Sequence, residues 1–95
     1  MIVTEAIRER TIEYLSRNGA MRIALFGSYV NGEAGPESDL DILAEFSGRK
    51  SLMQLARLER ELSELVGIRV DLLTESSISP HLIDGIKGQM EVIYG

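Results

Sequence analysis

Apolar and polar positions along this 95-residue chain alternate between helical and extended spacing. Helical spacing predicts one helix from about Val3 to Arg17, ended by Asn18-Gly19, and a second that starts at a Ser51–Gln54 capping box and ends at Gly67. In the second helix we expect the charged residues between Arg57 and Glu64 to face solvent. Its predicted buried stripe consists of Leu52, Leu55, Leu58, Leu62, Leu65 and Val66.

Shorter apolar runs predict strands between these helices. Ile23–Phe26 is continuously apolar, which is typical of a strand covered on both faces. Asp39–Phe46 has the alternation of a strand, with Leu40, Ile42, Ala44 and Phe46 on one face and Asp39, Asp41, Leu43 and Glu45 on the other. Arg69–Thr74 reads as a third strand. Ser79-Pro80 indicates the start of a last helix, and Met90–Tyr94 indicates a terminal strand.

The order of these elements predicts a single domain over residues 1–95 of the α/β (α+β) class. We expect a small mixed sheet of three to four strands with helices packed on it. The strands on either side of the capped helix should be parallel, because they form a β-α-β unit. The first strand is expected to run antiparallel to the second, so that the end of one meets the beginning of the other.

Composition narrows the class of partner. The net charge is −5 and the ten basic residues are scattered, which argues against direct binding of long nucleic acid. A nucleoside triphosphate stays compatible with this charge if divalent metal neutralises its phosphates. There is no cysteine, no apolar run of membrane-spanning length and no signal-peptide pattern, so the cytoplasm is the expected location.

Carboxylates on the predicted strands suggest a metal site. Asp39 and Asp41 leave the same face of their strand, and Asp71 lies inside the next strand of the β-α-β unit. Because these two strands should be parallel neighbours, we expect the three side chains to approach one another. Oxygen-rich sites of this kind suit Mg²⁺ or Mn²⁺, and two such ions can clamp the attacking and leaving oxygens of a phosphoryl transfer.

Gly27-Ser28 ends the first strand at the same predicted edge. Glycine lets the backbone approach a phosphate closely, and Ser28 can offer its N–H and hydroxyl groups. A calcium-loop interpretation of Asp39-Leu40-Asp41 fails, because the surrounding residues are apolar and no glycine follows at the turn. Taken singly, each aspartate could be an ordinary surface carboxylate, but together with Gly27-Ser28 they favour the metal site.

The Gly-Ser pair and the aspartates together resemble the signature of a known family. Leu25-Phe26-Gly27-Ser28 followed after ten residues by Asp39-Leu40-Asp41 resembles the signature of the DNA-polymerase-β-type nucleotidyltransferases. The small size, and Arg69–Thr74 followed by Ser79-Pro80, resemble the minimal nucleotidyltransferase (MNT) branch over nearly the whole chain. The combination is far more specific than a Gly-Ser pair alone.

The resemblance implies transfer of a nucleoside monophosphate, AMP from ATP being expected, to a hydroxyl acceptor by a two-metal mechanism. It implies that Asp39, Asp41 and Asp71 are catalytic and hold two Mg²⁺ ions, with Mn²⁺ as a substitute, and that Gly27 and Ser28 bind the nucleotide. Members of this branch often act as antitoxins that adenylylate a tyrosine of a HEPN-type toxin, so such a toxin is the expected partner.

The chain departs from the family pattern at one loop. Relatives often carry a Gly-Ser-Arg-Ala-Arg-Gly run, whereas this chain has Tyr29 and Asn31 in place of both arginines. Neither residue replaces the charge of a bidentate phosphate ligand. The alternative function is therefore a non-catalytic antitoxin that neutralises its partner by binding. Adenylylation of a small molecule ranks last, because it needs a further substrate domain. The sequence leaves open whether a homodimer forms.

Overall fold

The computed structural model of the protein describes residues 5–27, 39–75, 78 and 80–95. Within these residues the helices are α1 (Glu5–Arg17), α2 (Leu52–Val66) and α3 (Pro80–Gln89). The strands are β1 (Ala20–Phe26), β2 (Leu40–Phe46), β3 (Val70–Leu73) and β4 (Glu91–Tyr94). Their order is the predicted one. Several bounds were predicted wrongly. β1 begins earlier than Ile23, β3 is shorter than Arg69–Thr74 at both ends, and β2 and β4 each begin one residue later than Asp39 and Met90.

The strands described here form one four-stranded mixed sheet in the order β3-β2-β1-β4. β1 pairs antiparallel with both β2 and β4, and β2 pairs parallel with β3. This topology confirms the predicted β-α-β unit and the predicted antiparallel approach of β1. It also brings the end of β1 and the beginnings of β2 and β3 to the same edge of the sheet.

Helices α1 and α2 cover one face of this sheet. Alternate residues of β2, beginning with Leu40, point into the core as predicted, because side chains of a strand leave opposite faces in turn. On the other face Ala24 and Leu43 are also buried, so β1 and β2 are covered on both sides around these residues. The main cluster comprises Leu15, Ala20, Ile23, Leu25, Leu40, Ile42, Ala44, Leu55, Leu58, Leu62, Val66, Val70 and Leu72.

Helix α2 has the predicted ends but a narrower buried stripe. The Ser51 Oγ atom accepts from the Gln54 N–H at 3.1 Å, while Gln54 Oε1 accepts from the Ser51 N–H at 2.8 Å. Gly67 ends the helix with a φ of 77°. The prediction that Leu52 and Leu65 are buried is wrong, since they are 79% and 46% exposed. Leu52 lies in the first turn of the helix, which is exposed, whereas Leu65 lies next to the buried Val66 but on a side of the helix that the core does not cover.

Two polar side chains of α2 bind the outer edge of β3. The N–H group of Val70 donates to Ser63 Oγ at 2.9 Å, and the N–H group of Leu72 donates to Glu59 Oε2 at 2.8 Å. Ser63 in turn donates to the Glu59 carbonyl at 2.7 Å. Glu59 was predicted to face solvent with the other charges of α2, and this is wrong. Its carboxylate satisfies a strand N–H group that would otherwise lack a protein partner.

Helix α1 is tied to its neighbours by polar contacts. The Tyr14 hydroxyl donates to the Glu61 carboxylate of α2, and Arg8 pairs with Glu91 of β4. Burial and then the hydrogen bond with Glu61 raise the pKa of Tyr14 to about 12. The buried Thr11 hydroxyl donates to the Ile7 carbonyl at 2.7 Å, which satisfies it within the helix. The contacts of Tyr14 and Arg8 join α1 to α2 and to β4.

Some predictions fall on residues outside the described ranges. They concern the helix start at Val3, the loop residues Ser28, Tyr29 and Asn31, and the helix cap at Ser79. None of the described helices combines the length and apolar composition that crossing a lipid bilayer requires.

The bond between Ser63 and β3 can be tested by Ser63→Ala with Ser16→Ala as its control. Ser16 also lies in a helix, but its hydroxyl donates only to the Glu13 carbonyl of the same helix, at 3.2 Å. Both changes gain the same helix propensity. Ser63→Ala should lower the free energy of unfolding by about 1–2 kcal/mol relative to the control, because it leaves the Val70 N–H group without its acceptor. Equal urea midpoints for the two variants would contradict this role.

Candidate functional site

Two of the predicted carboxylates lie side by side on neighbouring strands. In the parallel pairing of β2 with β3, Asp41 is in register with Asp71 and Leu40 with Val70. Adjacent strands are about 4.8 Å apart, so in-register side chains on one face are direct neighbours. Because Leu40 and Ile42 point into the core, Asp41 points to the opposite face. The predicted approach of Asp41 and Asp71 is therefore confirmed.

Gly27 makes room for the Asp41 carboxylate. Phe26 at the end of β1 is in register with Asp41, and Gly27 follows with a φ of 79°. A Cβ atom on Gly27 would lie 2.2 Å from Asp41 Oδ2 and 3.1 Å from its Cγ. Any other residue would have to displace this carboxylate and adopt a strained backbone conformation. The turn after β1 thus requires glycine for two separate reasons.

The Asp41 carboxyl group has a raised pKa. Burial, followed by repulsion from Asp71 and from Asp39, raises the pKa of Asp41 from its ordinary value of 3.8 to about 6. Each of these causes disfavours the ionised form. At neutral pH a nearby positive charge would therefore stabilise the ionised carboxylate.

Asp39 lies just before β2, half-exposed, and has a different partner. Its Oδ1 atom is 3.8 Å from Nε of Arg69, the residue that precedes β3. Asp39 is close enough to contribute to the repulsion on Asp41, but its contact is with a guanidinium group. Sequence reasoning placed Arg69 only in a strand motif and missed this contact. The available signal was the parallel register, which sets residue 69 opposite residue 39.

The carboxylate oxygens suit a divalent cation, although they do not form a complete coordination sphere. Across the described residues, no three acidic, histidine or cysteine side chains are close enough together to hold a metal ion as they stand. The Asp41–Asp71 pair nevertheless offers hard oxygen ligands whose mutual repulsion a cation would relieve. Asp39 could join them if Arg69 released it. Ser28 lies outside the described residues, so its predicted place beside the phosphates stays a prediction.

Comparison with known proteins finds similar nucleotidyltransferases. A family described as "Nucleotidyltransferase domain" matches residues 8–93. A protein of Methanocaldococcus jannaschii provisionally named protein adenylyltransferase MJ0435 is 46% identical over 80 residues, covering 84% of this chain and 86% of the relative. Protein adenylyltransferase MntA of Thermococcus cleftensis is 42% identical over 82 residues, covering 86% of this chain and 81% of the relative.

Solved structures resemble the fold over nearly its whole length. A chain of a toxin–antitoxin crystal structure with AMP-PNP has a TM-score of 0.86 and 27% identity, covering 93% of this chain and 73% of that one. A chain provisionally described as a minimal nucleotidyltransferase has a TM-score of 0.79 and 37% identity, with coverages of 90% and 88%. A complex of a tri-AMPylated Shewanella oneidensis HEPN toxin with its MNT antitoxin gives a TM-score of 0.79, with coverages of 96% and 71%; its 24% identity supports the fold alone.

The steric role of Gly27 can be separated from its backbone role with Gly67→Ala as the control. Gly67 has nearly the same φ, but a Cβ atom there meets nothing within 4 Å. Alanine at either residue strains the backbone by roughly 1 kcal/mol. Gly27→Ala should cost clearly more free energy of unfolding than Gly67→Ala, because it also displaces the Asp41 carboxylate. Equal losses in chemical denaturation would show that the carboxylate does not occupy this space.

The raised pKa of Asp41 predicts a pH-dependent stability in the presence of EDTA. Because the folded state holds this proton more tightly than the unfolded state, the contribution of Asp41 to stability falls as the pH rises from about 4 to about 6. Asp41→Asn cannot ionise and escapes this loss. Its melting temperature relative to wild type should therefore rise through this interval and level off above it.

The control for this experiment is Glu64→Gln, which removes an exposed carboxylate from α2, on the other side of the sheet. Its melting temperature relative to wild type should not follow the same curve. A constant difference between Asp41→Asn and wild type from pH 4 to pH 7 would contradict the crowding of the three carboxylates.

Proposed function

This chain belongs to the nucleotidyltransferase domain family, and we propose that it is a metal-dependent protein adenylyltransferase that transfers AMP from ATP to a hydroxyl group of a HEPN-type toxin. The observation that carries the proposal is the in-register pair Asp41–Asp71 beside Gly27. The names of the relatives support the protein acceptor, and AMP-PNP in a similar structure supports the adenine nucleotide. The toxin–antitoxin structure with AMP-PNP supports a toxin as the class of partner, and the HEPN type is what the sequence resemblance implies.

Asp41 and Asp71 would hold the divalent cations, Mg²⁺ being the expected ion, with Asp39 as the third ligand. Bound there, the cations neutralise the phosphates and stabilise the attacking and leaving oxygens. Gly27 lets the end of β1 approach the triphosphate without a side chain in the way. The carboxylates would thereby position the α-phosphate at the common edge of β1, β2 and β3.

The transfer itself exchanges the phosphoanhydride bond between the α- and β-phosphates for a phosphoester bond to the acceptor. The acceptor oxygen forms a bond to the α-phosphorus, the bond to the oxygen bridging to the β-phosphate breaks, and pyrophosphate leaves. The hydroxyl proton passes to a carboxylate, for which Asp71 is the candidate, because β3 forms the outer side of the site. A short chain with a sheet of this size leaves little surface for an acceptor pocket, so the toxin would complete the site.

A second function, neutralisation by binding alone, is favoured by one observation. The chain lacks both arginines at the loop positions of Tyr29 and Asn31, which removes two phosphate ligands expected from the family pattern. In this case the aspartates would be dispensable for protection against the toxin. The two functions therefore differ in what a carboxylate substitution does.

Transfer can be measured by incubating the protein with the HEPN-type toxin of the same genome, labelled ATP and Mg²⁺. Asp71→Asn should lower label on the toxin at least ~100-fold, since losing even an outer-shell partner of a metal costs about 10–100-fold. Glu64→Gln, an exposed carboxylate on the opposite side of the sheet, should label the toxin like wild type. Absence of label with wild type, while wild type and Asp71→Asn neutralise the toxin equally, would reject transfer in favour of binding.

A further inference from the structure

Arg69 is held at the carboxylate edge by the backbone of the sheet. Its carbonyl group accepts a hydrogen bond of 2.8 Å from the Leu40 N–H group, which opens the ladder between β2 and β3. The next residues along the two strands, Leu40 and Val70, are already in register. The Arg69 backbone, from which the guanidinium side chain extends, is therefore fixed beside Asp39.

The contact of this guanidinium with Asp39 is loose. The Arg69 side chain is 80% exposed, the Asp39 side chain is 38% exposed, and the closest charged atoms are 3.8 Å apart. A pair with these properties exchanges partners readily, because water screens the attraction and replaces the contact. The ion pairs Arg8–Glu91 and Arg17–Glu13 do not involve the site carboxylates.

The site needs positive charge in two different situations. Without metal, the in-register carboxylates of Asp41 and Asp71 repel one another, and Asp39 lies two residues from Asp41 on the same chain. With nucleotide bound, the triphosphate brings several negative charges, and the loop after Gly27 carries Tyr29 and Asn31 instead of arginines. Within the described residues, Arg69 is the basic side chain in contact with a site carboxylate.

We propose that Arg69 serves both situations, as a counter-cation that holds Asp39 in the metal-free protein and as a phosphate ligand once Asp39 is engaged by metal. This inference rests on the proposed nucleotidyltransferase function and adds a residue to it. The guanidinium fork suits bidentate contact with phosphate oxygens, and its long exposed side chain can reach beyond the sheet edge. Arg69, the residue before β3, would thus supply a positive charge that the loop after Gly27 lacks.

The two roles predict opposite effects of Arg69→Ala on two binding constants. Mn²⁺ alone should bind about twofold to fivefold more tightly, because the cation no longer competes with a surface ion pair for Asp39. AMP-PNP in saturating Mn²⁺ should bind about tenfold more weakly, because a charge-assisted contact with phosphate is lost. A purely structural role would move both constants in the same direction or neither.

Calorimetric titration of the full chain gives both constants without any catalytic turnover. The matched control is Arg17→Ala, which removes an arginine of similar exposure, 76%, from an ion pair with Glu13 on α1. It changes the net charge by the same amount and should alter neither constant. Arg69→Lys keeps the charge but loses the fork, so its Mn²⁺ affinity should be near wild type and its AMP-PNP affinity intermediate.

The outcomes separate this inference from the function on which it rests. If wild type binds Mn²⁺ and AMP-PNP but Arg69→Ala matches Arg17→Ala, only the role of Arg69 is overturned. If Arg69→Ala weakens both ligands together, competition with metal is overturned. If wild type binds neither ligand, the proposed nucleotidyltransferase function fails and the inference fails with it. Thermal melts of all variants with EDTA verify that each is folded.

Discussion

The parallel pairing of β2 with β3 is the constraint on which the site depends. It sets Asp41 beside Asp71 and residue 39 beside residue 69. A slip of one residue would turn Asp71 to the face occupied by the helices, because successive side chains of a strand alternate. Leu40 and Val70 prevent that slip, since each is buried in the core below the carboxylates. The same apolar residues that fold the sheet thus fix the acidic pair.

Crowding of the carboxylates opposes folding, and the rest of the domain must offset it. Asp41 is half-buried, repelled by two neighbours and enclosed by the turn at Gly27. On the opposite face, Leu40 and Ile42 are fully buried, which anchors the strand on both sides of Asp41. Strain of this kind is typical of sites whose ligands are built before the ligand arrives.

The sequence was sufficient for the pairing of β2 with β1 and β3 and for the acidic pair, whereas the place of β4 beside β1 was not predicted. Alternation along β2 predicted which face Asp41 shares, and the β-α-β unit predicted that Asp71 would approach it. The contacts that the sequence did not predict join residues of different helices and strands. Glu59 looks like a surface charge on its helix until the edge of β3 is placed against it.

The exposure of Leu52 in the first turn of α2 illustrates the same limit of prediction from sequence. Leu52 fits the apolar stripe by spacing, but the sheet does not extend far enough to cover the first turn of the helix. The partnership of Asp39 with Arg69 likewise depends on register between strands that are 30 residues apart in the chain. Periodicity along one element predicts which face is buried, whereas the extent of the covering surface depends on the assembled fold.

The bonds from Ser63 and Glu59 to β3 have a consequence for association between molecules. An unprotected outer strand can accept a strand from another chain, and β3 is an outer strand of this sheet. Because the Val70 and Leu72 N–H groups already have acceptors from α2, an incoming strand would find its donors taken. The margin of the sheet that carries Asp71 is thereby shielded from intermolecular strand addition.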